Sequence, residues 1–204
     1  MKLIWHGHSC FSVATEAGTA VFDPYKDHYV RGLGALRLTA DAVFCSHEHS
    51  DHNARDAVNL TGGPFSAQVL TVPSFHDDKL GLLRGKNTIN ILSAEGLRVA
   101  HLGDLGHMLR GKALEAVKGV DALLIPVGGH YTIDPVTASE LADAIGARVV
   151  IPMHYRLGSM GYQVLAELSA FTSLRNDVIE YDTDTFELTA DTPAQTAVLR
   201  CVHE

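Results

Sequence analysis

The sequence has few cysteines, fewer cations than anions, and no long apolar run. Its three cysteines, Cys10, Cys45 and Cys201, are odd in number and far apart, which argues against a disulfide framework. Sixteen Lys and Arg stand against 24 Asp and Glu, a formal net charge of −8, so non-specific binding to nucleic acid or anionic membranes is not expected. The apolar start at 1–5 is too short for a signal peptide and no run reaches membrane-span length, which predicts a cytoplasmic protein.

The bulk properties are typical of one globular domain. A chain of 204 residues that is 46% hydrophobic suits a single domain, 1–204, with a sizeable core and no long insertions. Strand patterns dominate, helical patterns fall between them in both halves, and no linker divides the chain. This order favours two packed sheets covered by helices. The sequence is compatible with a homo-oligomer and does not define the oligomeric state.

Apolar periodicity and turn residues predict most helices and strands. We expect a long loop at 25–40 and a last strand at 197–202, followed by an uninvolved His203. Helices are predicted at 54–60, 111–118, 135–145 and 163–174.

The densest group of chemically active side chains lies at 45–53, which reads Cys-Ser-His-Glu-His-Ser-Asp-His-Asn. Ordinary packing seldom produces this density, because each buried imidazole or carboxylate needs its own partner. His47 and His49 follow a short strand pattern two residues apart, so they point to the same side and can share one ion. Asp51 and His52 come after a turn and aim at a neighbouring point. The spacing indicates two metal ions.

The pattern His-x-His-x-Asp-His resembles the signature of the metallo-β-lactamase superfamily, and the resemblance extends from 7–11 to 154–155. In that superfamily a third histidine, a bridging aspartate and a last histidine follow, each at a strand end. His76, Asp104 and His154 stand in this order. The branch that the chain resembles contains ascorbate-phosphate lactonase and uncharacterised Zn-dependent hydrolases.

This resemblance implies a four-layer αββα sandwich of the α/β class with two divalent ions at the sheet edge. One ion would be held by three histidines, the other by an aspartate and two histidines, and Asp104 would bridge them. In that order the ligands are His47, His49 and His76, then Asp51, His52 and His154.

The donor set indicates a hydrolytic reaction on a small-molecule substrate. Two ions about 3.5 to 4 Å apart share a hydroxide and clamp the attacking and leaving oxygens. Imidazole and carboxylate ligands favour zinc, with manganese, iron and nickel as alternatives, since geometry and availability set selectivity. Asp51 has a second predicted role in moving a proton of the attacking water. His130, after Gly128 and Gly129, is a further catalytic candidate that would contact substrate or orient a water.

Seven other residues are candidates for contacting the substrate or supporting the ligands. Asp23 either starts an Asp-Pro turn or fixes the tautomer of a ligand histidine. The turn at 84–87 either grips a phosphate or carboxylate, or only begins the next strand. The full set is His8, Asp23, Arg84, Lys86, Asn87, His107 and Tyr155.

Four functions are compared. A phosphodiesterase is favoured by the two-ion site and by the cations Arg84 and Lys86. A lactonase, or another hydrolase of carbonyl esters or amides, is the alternative that the named relative favours. A redox di-iron protein ranks low, because relatives of that kind need a carboxylate where this chain has His49. A non-catalytic metal-binding protein also ranks low, because the ligand set is complete.

Overall fold

The computed structural model describes residues 1–201 and contains two large β-sheets. Its strands are β1 (Lys2–Trp5), β2 (Phe11–Thr15), β3 (Gly18–Phe22), β4 (Leu38–Ala40), β5 (Ala42–Phe44), β6 (Val58–Leu60), β7 (Gln68–Phe75), β8 (Lys86–Ala94), β9 (Leu97–His101), β10 (Ala122–Pro126), β11 (Val149–Met153), β12 (Val178–Glu180), β13 (Thr185–Glu187) and β14 (Gln195–Val198). Its α-helices are α1 (Gly111–Val117), α2 (Pro135–Ile145) and α3 (Ser169–Thr172).

The sheets combine hairpins with parallel pairs. The first has the strand order β13-β1-β2-β3-β5 and the second β12-β14-β11-β10-β9-β8-β7. Strands β9, β10, β11 and β14 are parallel neighbours, and β10 and β11 are buried throughout. Such double-sided burial explains why both read as continuous apolar runs in the sequence.

The two sheets share one hydrophobic core. The rings of Phe11 and Phe22, from β2 and β3, lie 6.1 and 5.6 Å from that of His101 at the end of β9. Helices α1 and α2 contact strands of the second sheet, and α3 packs against α2. The predicted α/β arrangement is thereby confirmed. Among residues 1–201, none of the helices is both long and apolar enough to span a bilayer.

Helix α2 shows the start and stop signals that its sequence predicts. The Asp134 carboxylate accepts hydrogen bonds from the backbone N–H groups of Val136 and Thr137, and Pro135 occupies the first turn. Gly146 ends the helix at φ 67, a left-handed conformation that glycine adopts without strain.

Two predicted helices are largely absent. At 54–60 the chain makes one 3-10 turn, Arg55–Ala57, and then β6, which pairs in parallel with β4 inside the loop predicted at 25–40. At 163–174 only the short α3 forms, because Ala166 is held extended by backbone hydrogen bonds to Arg156 and Gly128. The last strand is β14, and 202–204 with His203 lie outside the described residues.

Candidate metal centre

The seven predicted metal ligands come together at one edge of the sheets. His76, Asp104 and His154 follow β7, β9 and β11, and the motif at 47–52 follows β5. One oxygen of the Asp104 carboxylate, Oδ2, is at the centre. It lies 3.2 Å from the Nε2 atoms of His52, His76 and His154, and 3.9 Å from that of His47.

The donor atoms form two groups around Asp104. In each group the atoms lie within 4.8 Å of one another, and the groups are His47, His49 and His76, and His8, Asp51, His52 and His154. This division matches the one implied by the family resemblance, with His8 added to the second group.

The centre has the properties of a site for divalent cations. His47 Nε2, His52 Nε2 and Asp104 Oδ1 are buried without a hydrogen-bond partner, an arrangement that is costly unless something pairs with them. Burial, followed by repulsion from His52, lowers the pKa of His47 to about 3, so its ring is neutral at pH 7 and carries a lone pair. Burial alone would raise the pKa of Asp104, but His154 and His52 outweigh it and hold the pKa well below its usual range. A neutral imidazole at His47 facing an ionised carboxylate at Asp104 fits zinc or a similar ion.

Asp23 links one histidine of each group. It is fully buried, and Oδ2 accepts hydrogen bonds from His52 Nδ1 at 2.8 Å and Ser46 Oγ at 2.5 Å. The Ser46 oxygen accepts in turn from His47 Nδ1 at 2.8 Å. With Nδ1 protonated in both rings, each Nε2 is free to bind a cation. Of the two interpretations of Asp23, the structure favours support of the ligands.

Two further ligands have partners from the protein. His76 Nδ1 donates to the backbone oxygen of Tyr131 at 3.1 Å. The Asn87 side chain accepts from Asp104 N at 2.9 Å and donates to Leu102 O and Ser74 Oγ. The Asn87 amide is therefore bonded within the protein and positions Asp104.

Glycines let backbone segments approach the ligands closely. A Cβ on Gly106 would lie 2.3 Å from Asp77 N, next to His76, and one on Gly128 would lie 2.1 Å from His154 O. A Cβ on Gly103 would lie 2.3 Å from Ser46 Cβ and 2.5 Å from Asn87 Oδ1. Because Ser46 supports His47 and Asn87 positions Asp104, a side chain at residue 103 would disturb both supports.

Gly103→Ala is expected to lower the free energy of unfolding by about 1 to 3 kcal/mol, the usual range for overpacking, and to weaken metal binding. The matched control is Gly119→Ala, since Gly103 and Gly119 have φ of 57 and 61 but the added Cβ on Gly119 meets nothing within 4 Å. Urea unfolding and metal titration of both variants measure the difference. Equal losses in the two would mean that backbone strain alone, without displacement of Ser46, explains the effect.

A cavity of about 620 Å³ opens onto the centre. Donors from both groups line it, together with three tyrosines. Tyr162 donates a hydrogen bond from its hydroxyl to Asp51 Oδ2 at 3.3 Å. The lining residues are Tyr29, Glu48, His49, Ser50, Asp51, His76, Leu83, Arg84, Asp104, Tyr131, His154 and Tyr162.

Arg84 reaches this cavity from a loop that Asp77 organises. The Asp77 carboxylate accepts backbone N–H bonds from Lys79 and Gly81 on Oδ1 and from Leu83 and Arg84 on Oδ2. Burial opposes ionisation, but these bonds outweigh it and lower the pKa of Asp77 to about 2. The Arg84 guanidinium carbon lies 5.6 Å from the centroid of the Tyr131 ring, within the range of a cation–π contact.

Four other predicted residues lie away from the cavity. His130 is exposed at φ 58 and does not line it, so its position gives no support to a catalytic role. His107 accepts from Phe75 N and donates to Met108 O, and Tyr155 is buried against Trp5. Lys86 is exposed in an adjoining cleft.

Comparisons with known proteins agree with this geometry. Residues 2–154 match the family model of the beta-lactamase superfamily domain. The chain is 29% identical to the UPF0173 metal-dependent hydrolase of Thermoplasma acidophilum, covering 89% of this chain and 93% of that protein. For a homologous UPF0173 metal-dependent hydrolase of Thermoplasma volcanium, the identity is 27%, over 76% of this chain and 83% of the relative.

The fold matches solved structures as well. The crystal structure of a Thermotoga maritima protein, described as a Zn-dependent hydrolase of the metallo-beta-lactamase superfamily, superposes with a TM-score of 0.74. The two sequences are 34% identical, and the match covers 97% of each chain.

Proposed function

The chain belongs to the beta-lactamase superfamily and is a metal-dependent hydrolase, and we propose that it cleaves phosphodiesters with two divalent ions. Seven side chains would hold the ions, His47, His49 and His76 on one side, Asp51, His52 and His154 on the other, with Asp104 between them. Zinc is the proposed metal, since imidazole and carboxylate donors suit it first.

The observation that carries this proposal is the placement of Arg84 in the same cavity as the metal donors. Among the described residues that line the cavity, Arg84 is the only Lys or Arg. A guanidinium binds a phosphate through two parallel hydrogen bonds, and a phosphodiester keeps its negative charge at the reacting group. The Asp77 carboxylate fixes the loop, so the cation is preorganised.

Side chains of the protein would transfer the protons of this reaction. Two divalent ions bound by these donors would lower the pKa of a shared water to near neutrality and supply the nucleophile. Asp51 faces the cavity and is placed to accept the proton of that water and to pass it to the leaving oxygen. Burial, followed by the nearby charge of Asp51, raises the pKa of Tyr162, so its phenol stays protonated and donates a hydrogen bond.

The test is turnover of bis(p-nitrophenyl) phosphate by protein freed of metal and then reconstituted separately with zinc and with manganese. We expect turnover that depends on metal and is lost in Asp51→Ala. A protein that binds both ions fully and cleaves no diester would overturn the proposal.

Arg84→Gln is expected to raise the KM for the diester by at least about 10- to 100-fold with a smaller change in kcat, because loss of even one of the two charge-assisted hydrogen bonds has an effect of this size. Lys86→Gln is the matched control, because this exposed cation lies in the adjoining cleft. Steady-state kinetics give KM and kcat of both variants. An equal rise in KM would mean that the overall electrostatic potential of the protein, and not a specific contact of Arg84, attracts the anion.

Hydrolysis of a lactone or other carbonyl ester is the second candidate, and Tyr162 favours it. A neutral O–H donor beside the metal donors is the group that a developing oxyanion requires. A lactone panel on the same metal-loaded samples, with Tyr162→Phe, separates the two chemistries. Lactone turnover that falls in Tyr162→Phe, with no diester cleavage, would favour the second candidate.

A further inference from the structure

We propose that His8 is a protein ligand of the second ion, together with Asp51, His52 and His154, which leaves the open coordination position on the ion held by His47, His49 and His76. The inference rests on the two-ion part of the proposed function and is independent of the bond that is cleaved.

A left-handed backbone conformation and two hydrogen bonds to its carbonyl oxygen hold His8 at the centre. The residue lies between β1 and β2 at φ 51, a left-handed conformation that is uncommon outside glycine and is kept where surrounding contacts enforce it. Its carbonyl oxygen accepts hydrogen bonds from Trp5 Nε1 at 3.1 Å and from His154 N at 3.2 Å. The second bond ties the turn that carries His8 directly to the strand end that carries a ligand.

The His8 ring lies among the donors of the second group. Its side chain is fully buried, and its centroid is 4.2 Å from that of His154 and 5.2 Å from that of His52. The Nε2 atom is 3.3 Å from Asp51 Oδ2, and one ring nitrogen of His8 lies within 4.8 Å of donor atoms of Asp51, His52 and His154. The donor positions allow all four side chains to bind one cation.

The polar contacts of the ring favour a ligand over a simple hydrogen-bond donor. His8 Nδ1 is buried without a hydrogen-bond partner, and the Nε2 atom contacts Asp51. His52 Nε2 and Asp104 Oδ1, in the same centre, are also buried without a partner. A divalent cation bound among these side chains would pair with His52 Nε2, with Asp104 and with the His8 nitrogen that faces Asp51.

The consequence is an asymmetric centre. Counting Asp104 with both ions, the second ion has five protein donors and the first has four. The first group includes His49, which is exposed and lines the cavity, whereas His8 and His52 are fully buried. A catalytic ion keeps a position open for water or substrate, and donor number and exposure both place that position on the first ion.

Cadmium-113 NMR tests this ligand count without any substrate. In protein loaded with two ¹¹³Cd²⁺ ions, spectra that correlate cadmium with imidazole protons count the histidines bound to each ion. We expect three imidazoles on each ion in the wild type. Two imidazoles on one of the ions, in wild-type protein, would overturn the inference, and this outcome does not depend on how any variant folds.

His8→Gln separates ligation from hydrogen bonding, because glutamine keeps an N–H donor for Asp51 and loses the imidazole. We expect one cadmium resonance to show one correlated imidazole fewer than in the wild type. The affinity of the protein for that ion should fall by at least about tenfold. The control His107→Gln removes an imidazole outside the centre and should leave both resonances unchanged. Wild-type affinity for both ions in His8→Gln would refute the role as a ligand. If the imidazole count holds but no diester is cleaved, only the proposed substrate is wrong.

Discussion

Asp104→Asn is expected to leave the protein folded, to reduce the bound metal below two ions per chain, and to lower hydrolytic turnover by at least about a hundredfold. The reason is the central position of Oδ2, 3.2 Å from the Nε2 atoms of three histidines. A carboxylate carries a negative charge that can hold two cations, whereas an amide is neutral and has one oxygen. Because loss of a group that only supports a ligand already costs about 10- to 100-fold, loss of the bridge costs more.

The fold of this variant is expected to survive because asparagine keeps the volume of the side chain and the backbone bond from residue 104 to Asn87 Oδ1. Metal content after dialysis against buffered zinc, far-ultraviolet circular dichroism and kcat are the measurements. Asp191→Asn, at an exposed position, is the control. Two ions per chain with wild-type affinity would show that Asp104 is not the bridge.

The cluster of candidate metal donors could be predicted from sequence because each donor is a local signal. His76, Asp104 and His154 each follow a strand, and because β7, β9 and β11 run in the same direction, their ends lie at one edge of the sheet. The two hydrogen bonds that the Asp134 carboxylate accepts from the start of α2 are local in the same sense. What is encoded within a few neighbouring residues is therefore readable from the sequence.

The loops around the cavity could not be predicted, because distant residues determine them. Tyr162 lies beside a segment whose apolar spacing predicts a helix, with Leu165, Leu168 and Phe171 three residues apart. Ala166 instead accepts a backbone hydrogen bond from Arg156 and donates one to Gly128, and only the short α3 forms after it. No pattern within 163–174 carries this information, and so the contact of Tyr162 with Asp51 was missed.

The segment that carries His130 reaches the centre, but through Tyr131 and not through the His130 side chain. Gly128 and Gly129 made His130 a catalytic candidate, and Gly128 does pack on the backbone of His154. The groups that reach the centre, however, are the Tyr131 ring and the Tyr131 carbonyl oxygen, which accepts from His76. Side-chain direction after a glycine turn depends on φ, and the φ of His130 is not encoded in residue type.

Asp23→Asn is expected to lower the affinity for both metal ions, by about 10- to 100-fold each. This is the usual cost of losing a group that orients a ligand. The carboxylate accepts three hydrogen bonds, from Ser46 N at 2.6 Å, Ser46 Oγ and His52 Nδ1. An amide presents its NH₂ group to at least one of these donors. Leaving a buried donor unpaired costs about 1 to 3 kcal/mol of stability, and neither His47 nor His52 then keeps a fixed tautomer.

Ser46→Ala distinguishes this linkage from general damage to the core. It removes the hydroxyl between Asp23 and His47 but leaves the direct bond from His52 to Asp23, so it should weaken mainly the ion held by His47, His49 and His76. Two-site calorimetric titrations with zinc on Asp23→Asn, Ser46→Ala and wild type measure the two affinities separately. One fully buried carboxylate orients one histidine of each group, so the two sites depend on the same residue. An Asp23→Asn protein that loses affinity for one ion only would therefore contradict the linkage.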